Sequence, residues 1–293
     1  MEMKQKYFFI INPTAKNGRV MTIWQQVASE LENRQVSYDY AVSTSEENVS
    51  ELAESAAKKG YIVVGVGGDG TVSRIAGALV GKNAIFGLIP AGTGNDFART
   101  FAIPKEPLAA VEVLLQGKTT PIDLGCINGR YFCNVIGAGL DAQVVEDANK
   151  VFKRFSGSLA YLLALMRQLF IYRPRRVKIT MNDQKIYVNA WLIAVANARY
   201  YGSGMMVAPQ ADPRDGYLDV VVVQNISLFH FLRLFPLVYK GLHINHGAVR
   251  KWRTMQLRVE SEEPLAIQVD GELYGVTPFD LKVQPQAVRV IVP

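Results

Sequence analysis

Over the first 125 residues, apolar positions come in short solid runs separated by stretches with helical spacing. Tyr7 to Ile11 is one such run, closed by Asn12-Pro13. Residues 20 to 33 repeat apolar positions at helical intervals, with Ile23, Val27 and Leu31 on one face. A second strand is expected over Ser37 to Val42, and a helix over Ser45 to Lys59. That helix has Ser45 as its cap, Asn48 three positions on, and Gly60 past its end. Tyr61 to Val66 and Ile85 to Ile89 read as buried strands, with a helical pattern from Val72 to Leu79 between them. Pro107 to Gln116 reads as a helix with proline in its first turn and Gly117 as its stop. This alternation predicts a mostly parallel sheet covered by helices.

The rhythm changes after about Leu124. Cys126 to Ile136 reads as a hairpin turned by Asn128-Gly129. Two helical stretches follow, Asp141 to Val151 and Ser158 to Ile171. Strands then dominate: Val177 to Met181 and Ile186 to Ala196, joined by Asn182-Asp183, then Leu218 to Val223, Met255 to Val259, Ala266 to Val269, Phe279 to Val283 and Val288 to Val292. One helix is expected among them, near Leu228 to Tyr239. The expected fold is an α/β domain over residues 1–125, then a β-rich, antiparallel, sandwich-like domain over 126–293. The extreme C-terminus is free to return to the first domain.

Composition narrows the chemistry. With 49% hydrophobic and 20% charged residues, 293 residues supply enough apolar material for two cores. The net charge of +6 favours phosphate-bearing ligands or an anionic surface. The cations are scattered apart from short clusters at Arg173 to Lys178 and Arg250 to Arg253, and no zinc-finger, RNP-like or long basic-helix signature points to nucleic acid. Cys126 and Cys133 flank the Asn128-Gly129 turn and are expected to face each other across it. Two thiols without a secretion signal suit a reducing cytosol, and the polar start from Met1 to Lys6 is not a signal peptide. His243 and His246 form an isolated His-x-x-His pair, too little for a metal site. The longest apolar run, Leu159 to Tyr172, is broken by Arg167 and Gln168 and falls short of the roughly 18 residues of a spanning helix. Membrane contact is therefore expected to be peripheral, at the cytoplasmic face.

The strongest chemical signal is Gly67-Gly68-Asp69-Gly70-Thr71, set between a valine-rich strand and a helix. Glycines there let backbone N–H groups approach phosphate oxygens, and the helix N-terminus adds partial positive charge. The Asp69 carboxylate would repel phosphate unless a cation lay between them, which suits a Mg²⁺-nucleotide. A tight strand-to-helix connection is the plain alternative. The stretch from Gly65 also matches G-x-G-x-x-G, but the acidic residue a dinucleotide site needs about 20 positions on is replaced by Leu88-Ile89-Pro90. No Gly-Lys-Ser/Thr ending marks a Walker loop. A second loop, Pro90-Ala91-Gly92-Thr93-Gly94-Asn95-Asp96-Phe97, repeats the arrangement after the next strand, with Asn95 or Asp96 as a simple helix cap the alternative. Open α/β sheets bind ligands at the carboxyl ends of their strands.

These two loops resemble the diacylglycerol kinase catalytic family, which includes bacterial lipid kinases and the sphingosine and ceramide kinases. The resemblance covers nearly the whole chain. Asn12-Pro13, Asp123-Leu124-Gly125, Asn134, Gly137-Ala138-Gly139-Leu140-Asp141-Ala142, Gly202-Ser203-Gly204-Met205, Pro209, Asp215-Gly216-Tyr217-Leu218 and Val269-Asp270-Gly271-Glu272 stand in family order. The Gly-Gly-Asp-Gly-Thr core alone is shared with NAD kinases and phosphofructokinase-like folds, so the ordered set specifies the family and not the substrate.

The resemblance implies a phosphofructokinase/NAD-kinase-like ATP-binding domain over 1–125 and a lipid-substrate domain over 126–293. It implies that Asn12, Thr44, Gly67, Gly68, Asp69, Gly70, Thr71, Gly92, Thr93 and Asn95 line the ATP site. Asp69 and Asp96, with Asp123 behind them, would hold catalytic Mg²⁺. Asp270 resembles the general base, with Glu272 beside it. A further Mg²⁺ would sit on Asp215 and the carbonyls of Asp212 and Tyr217. A carboxylate accepting the proton of an attacking alcohol is sound chemistry for phosphoryl transfer. The chain departs from the family at Ser73-Arg74, where many members carry Asn-Glu, and at Lys16-Asn17, which delays the glycine after Asn-Pro to Gly18. Lys16 or Arg19 is placed to reach a phosphate.

The function implied is ATP- and Mg²⁺-dependent phosphorylation of a lipid hydroxyl, diacylglycerol to phosphatidate, with the lipid met at the membrane surface and a homodimer as in related bacterial enzymes. The alternatives are a kinase of a soluble alcohol or NAD, and an inactive nucleotide-binding regulator. Apolar stretches at Leu159 to Tyr172 and Leu228 to Leu242 suit either core or a membrane face, the second being the better membrane candidate through Phe229, Leu232, Phe235 and Tyr239 beside Arg233 and Lys240.

Overall fold

The computed structural model describes residues 6–14, 19–152, 158–224 and 226–293. The chain divides into two compact units, Met1–Leu124 with Gln284–Pro293, and Gly125–Val283.

The first unit is built on parallel strands β1 (Tyr7–Ile11), β2 (Tyr38–Val42), β3 (Ile62–Gly67) and β4 (Ile85–Pro90), in the spatial order β2-β1-β3-β4. The connecting helices are α1 (Val20–Asn33), α2 (Glu46–Lys58) and α3 (Asp69–Leu79), followed beyond β4 by α4 (Asp96–Thr100) and α5 (Pro107–Gln116). α1 packs on α5, and α2 on α3. β3 is buried along its whole length, as a central parallel strand must be. α1 buries Val20, Trp24, Val27 and Leu31, so Trp24 takes the place expected of Ile23. Its ring lies 5.1 Å from Phe9 and 5.8 Å from Tyr38, a larger apolar contact than isoleucine could make. Ser45 caps α2 by accepting the Asn48 N–H, as expected. The Glu106 carboxylate caps α5 through the N–H groups of Leu108 and Ala109, and Gly117 closes it in the left-handed conformation. The last residues of the chain run parallel to β4, with Arg289 opposite Ile85 and Val290 opposite Phe86.

Register decides where the site forms. Ile11 lies level with Val42 and Val66, and Gly67 with Pro90. The residues after all four strands therefore emerge at one edge of the sheet.

The second unit is antiparallel. β5 (Thr119–Ile127) turns through Asn128 and Gly129, both at positive φ, into β6 (Arg130–Phe132). The two-residue turn sets Cys126 opposite Tyr131, not opposite Cys133, which lies past the end of β6. Neither cysteine is in a disulfide, and both are buried. β7 (Val135–Gly139), α6 (Leu140–Lys150), α7 (Ser158–Ile171), β8 (Arg175–Met181), β9 (Gln184–Ala196), β10 (Leu218–Gln224), α8 (Leu228–Leu234), β11 (Val249–Thr254), β12 (Gln256–Ser261), β13 (Ala266–Val269), β14 (Glu272–Val276) and β15 (Phe279–Ile291) follow. The ladder runs β14-β13-β7-β9-β8-β12-β15, with β10 also on β9 and β11 on β10. One face of this sheet encloses a core around Phe132, Val195, Val259 and Phe279. The other carries α6, α7 and α8 over a second core that contains Trp191, Val221 and Val249.

Two expectations are corrected, and one strand was missed. The helix expected to reach Tyr239 stops at Leu234, and Phe235–Lys240 continues as a 3₁₀ helix. Pro236 brings no N–H for α-helical bonding. The strands expected over Phe279 to Val283 and Val288 to Val292 are one strand, β15, irregular at Gln286, whose φ is 48°. β11 was hidden by its cations: Val-Arg-Lys-Trp-Arg-Thr is a sheet edge with exposed charges, which protects that edge from pairing with other chains.

Candidate functional site

In the first unit the two glycine loops lock together by backbone. A Cβ added to Gly92 would stand 2.4 Å from the Cα of Gly68, and one on Gly68 would stand 3.0 Å from the Cα of Gly92. The Ala91 N–H donates to the Gly67 carbonyl at 2.8 Å. A Cβ on Gly67 would meet the Thr71 hydroxyl at 2.4 Å. The close approach of the two loops favours glycine at Gly68 and Gly92, and the Thr71 side chain favours it at Gly67, before any ligand is considered.

The polar groups are fixed by the same loops. Asp69 Oδ1 accepts the Phe97 N–H at 2.9 Å, so a carboxylate of the first loop caps the short helix that ends the second. Neither Asn95 nor Asp96 does so. Asn95, at φ 51°, exchanges two bonds with Gly92, accepting its N–H at 2.9 Å and donating to its carbonyl at 3.0 Å. Asp96 is buried and lies 3.8 Å from Arg99. Asn12 Nδ2 donates to the buried Thr71 hydroxyl at 3.0 Å, while its Oδ1 accepts from the Thr14 N–H and hydroxyl. Thr44 is exposed beyond β2, its N–H on the Asn48 side chain. Asp123 is buried and accepts the Gln286 N–H at 2.7 Å, which is the irregular point of β15. At the carboxyl edge Asn12 thus bonds Thr71, Asn95 bonds Gly92, Asp69 bonds Phe97 and Gly67 bonds Ala91, while Gly68 packs on Gly92. Gly70 lies in the first turn of α3, which no side chain caps, and Thr93 lies exposed in the second loop. Arg74 is ion-paired with Glu46 of α2. Lys16 lies outside the described residues, and Arg19 is exposed ahead of α1.

In the second unit Asp270 and Gly271, both at positive φ, form the two-residue turn between β13 and β14. The Asp270 carboxylate accepts three backbone N–H groups, from Cys133 at 2.9 Å and from Asn134 and Val135 at 3.0 Å each. An ionised carboxylate is an acceptor-only group, which matches three donors. Gln268 links this turn to α6: its Oε1 accepts the Gly271 N–H, and its Nε2 donates to Asp141. Glu272 is ion-paired with Arg130, whose guanidinium lies 5.4 Å from the Tyr274 ring. Sequence reading missed Arg130, Gln268 and Asn197. Asn197 donates to the Cys133 carbonyl and is the one polar residue directly after the apolar end of β9, a signal that could have been used.

The residues assigned to Mg²⁺ differ in how well they fit it. Mg²⁺ takes one or two carboxylates together with substrate phosphates. Asp69 and Asp96, on interlocked loops at the sheet edge, are a donor set of that kind. Among the described residues no three acidic, histidine or cysteine side chains gather to cage a metal without a substrate. Asp212, Asp215 and Tyr217 do not fit a cation as arranged. Asp212 is held by the Arg214 guanidinium at 2.7 and 2.9 Å, and its carbonyl accepts from Arg214 and Asp215. Asp215 is ion-paired with Arg253, and it accepts the Tyr217 N–H at 3.0 Å. Two guanidinium groups already supply the positive charge there.

Comparison with known proteins gives the family. Residues 6–127 match the diacylglycerol kinase catalytic domain. Residues 134–292 match the YegS C-terminal NAD kinase beta sandwich-like domain. The chain is 32% identical over 292 residues to a diacylglycerol kinase of Mycobacterium tuberculosis (strain ATCC 25618 / H37Rv), covering 97% of this chain and 94% of that one. It is 28% identical over 288 residues to a diacylglycerol kinase of Bacillus subtilis (strain 168), covering 97% and 95%. A crystal structure of a Bacillus anthracis str. Sterne protein superposes with a TM-score of 0.85 over 100% of this chain and 97% of that one; at 24% identity this likeness shows the fold alone. With an α/β unit that holds two interlocked glycine loops and a β-rich second unit, the chain belongs to the diacylglycerol kinase family of phosphotransferases.

Proposed function

We propose that the protein transfers the γ-phosphoryl group of ATP to the free hydroxyl of diacylglycerol, giving phosphatidate and ADP. The observation that carries this reading is the backbone-to-backbone lock of Gly68 on Gly92 at the carboxyl edge of the parallel sheet. It leaves a side-chain-free surface for a phosphate chain beside the uncapped N-terminus of α3. The family relatives named above support diacylglycerol as acceptor.

In this reading the N–H groups at the start of α3 and the Thr71 hydroxyl, oriented by Asn12, take the phosphates. Asp69 and Asp96 would hold Mg²⁺, which when bound neutralises charge on the transferring group. Asp123 anchors the strand behind them. Asp270 is oriented by three N–H groups, and it would accept the acceptor's proton as the oxygen attacks. Glu272 would be fixed beside it by Arg130. Because the acceptor is membrane-borne, the enzyme would work at the bilayer surface. No helix among the described residues is long and apolar enough to cross a membrane.

The test is ATP consumption with Mg²⁺ over a panel of micellar and soluble alcohols, comparing wild type with Asp270→Asn. Diacylglycerol-dependent turnover that falls at least a hundredfold in the variant, with ATP still bound, is the expected result. Turnover on a soluble acceptor or NAD alone overturns the choice of acceptor. Unchanged turnover in the variant removes Asp270 as the base.

A further inference from the structure

We infer that Gln268 is a positioning residue for Asp270: with Asp141 it forms a buried brace that fixes the turn carrying the proposed base. The inference rests on the reading of Asp270 as the group that takes the acceptor's proton, and it adds the residue through which that group is held.

The strand pattern isolates Gln268. β13 reads Ala-Ile-Gln-Val, and Gln268 is 1% exposed. Side chains of a strand alternate between its two faces. Ile267 and Val269 enter the core around Phe132, so Gln268 points to the opposite face, where α6 packs on β13. A buried amide costs stability unless its polar atoms are bonded. An apolar side chain would fill this place without that cost, so the use of the amide lies in the bonds it makes.

Its oxygen holds the turn. Oε1 accepts the Gly271 N–H at 2.7 Å. Gly271 is the second residue of the two-residue turn, with φ 89°, and Asp270 is the first, with φ 48°. A residue other than glycine seldom takes such backbone, so contacts must impose it on Asp270. On one side these are the Asp270 N–H on the Val135 carbonyl at 3.1 Å and the carboxylate on the N–H groups of Cys133, Asn134 and Val135. On the other side is Gln268. Without it the turn keeps its attachment at Asp270 and gains freedom to pivot about it.

Its nitrogen is fixed by Asp141. A glutamine amide can turn over and set N–H₂ against the Gly271 N–H, donor facing donor. Asp141 Oδ2 accepts from Nε2 at 3.2 Å and so selects the orientation that serves the turn. Register makes room for both side chains. Gln268 lies opposite Gly137 of β7, where a Cβ would stand 2.6 Å from Nε2 and 1.4 Å from Asp141 Oδ2. A strand glycine, a helix carboxylate and a strand amide, from three separate elements, are thus fitted to one contact behind the turn.

The experiment reads turnover and backbone exchange in parallel on the full-length protein. Gln268→Leu is expected to lower kcat roughly tenfold to a hundredfold, the usual loss when a reacting group shifts by about an ångström. The KM for ATP should stay within about twofold, because the nucleotide loops lie in the first unit. Amide exchange at Cys133, Asn134 and Val135, followed by NMR, should quicken at least about tenfold as the Asp270 carboxylate leaves them. Gln268→Glu sets a second carboxylate against Asp141 and should lose as much. Adding Asp141→Asn reverses the pair: the new carboxylate still accepts the Gly271 N–H, and the new amide donates to it. That double variant should return kcat and protection to within about threefold of wild type. Urea unfolding of each protein separates loss of the brace from loss of the fold. An unchanged kcat in Gln268→Leu overturns the inference. So does a fall in kcat with exchange at the three amides unchanged, or a double variant that unfolds like wild type yet recovers neither quantity. Faster exchange at the three amides in a protein with no turnover on any acceptor would remove the proposed function and leave Gln268 as the brace of the turn.

Discussion

Asp141 is buried at a cost, and Asp141→Asn should reveal it as a pH-dependent stability. Asp141 opens the second residue of α6, and a Cβ on Gly137 would stand 1.4 Å from its Oδ2, so that glycine exists to make room for the carboxylate. Oδ2 accepts from Gln268 at 3.2 Å, whereas Oδ1 is shielded from solvent without a partner. The residue as a whole keeps some exposure, but Oδ1 does not share it. Burial pushes its pKa up from 3.8 to about 7, against the opposing pull of Gln268 and of backbone N–H groups. The folded state therefore holds the proton more tightly than the unfolded chain. This contribution to stability is whole below about pH 4, is lost progressively as the pH rises, and is gone above about pH 7. A displacement of that size corresponds to at most about 4 kcal/mol. The assay is urea unfolding of wild type and Asp141→Asn at intervals from pH 4 to pH 8. Other carboxylates contribute equally to both proteins and cancel in the difference. Asparagine does not ionise, so the variant should gain on wild type by several kcal/mol between pH 4 and pH 7. Parallel stability curves would refute the reasoning.

Gly92→Ala should cost about 1–3 kcal/mol, because the Cβ meets backbone that cannot rotate away, and it should weaken binding of a non-hydrolysable ATP analogue at least tenfold by calorimetry. An alanine that binds nucleotide as wild type does would show that the loop lock is not part of the site. Arg74→Ala removes a partly exposed pair with Glu46 and should cost no more than about 1 kcal/mol in denaturant unfolding. Arg253→Ala leaves Asp215 and the buried Asp219 without their cation. Burial and Asp215 raise the Asp219 pKa to about 6 even with Arg253 present, so the variant should lose more stability at pH 8 than at pH 5. An equal loss at both values in chemical unfolding would show that Asp219 is not the group affected.

Much of the fold could be read directly. The alternating runs from Tyr7 to Gln116 gave four strands and the helices α1, α2, α3 and α5 to within three residues, because a buried parallel strand must be apolar on both faces and its helices on one. The Asn128-Gly129 and Asn182-Asp183 turns were legible because a two-residue hairpin needs left-handed backbone, which Asn, Asp and Gly tolerate. β11 and β14 were not legible. Both lie at sheet edges, where one ladder and partial exposure suffice and no apolar run is required. The end of α8 turned on Pro236, a local signal that was present in the sequence and outweighed by the apolar spacing around it.

The site divides in the same way. Sequence alone singled out the glycine, threonine and carboxylate residues at two strand ends as candidates for the chemistry, since together they have few other uses. Only the tertiary structure decided what each one bonds to. Gly68 and Gly92 are 24 positions apart in the chain, and nothing local states that their backbones touch. Asp69 serves Phe97, Asp270 serves Cys133, Asn134 and Val135, and Asp215 faces Arg253, each through a contact made across strands or loops distant in sequence. A residue's type fixes what it can donate or accept, whereas its partner is fixed by register and packing, and these exist only once the chain has closed on itself.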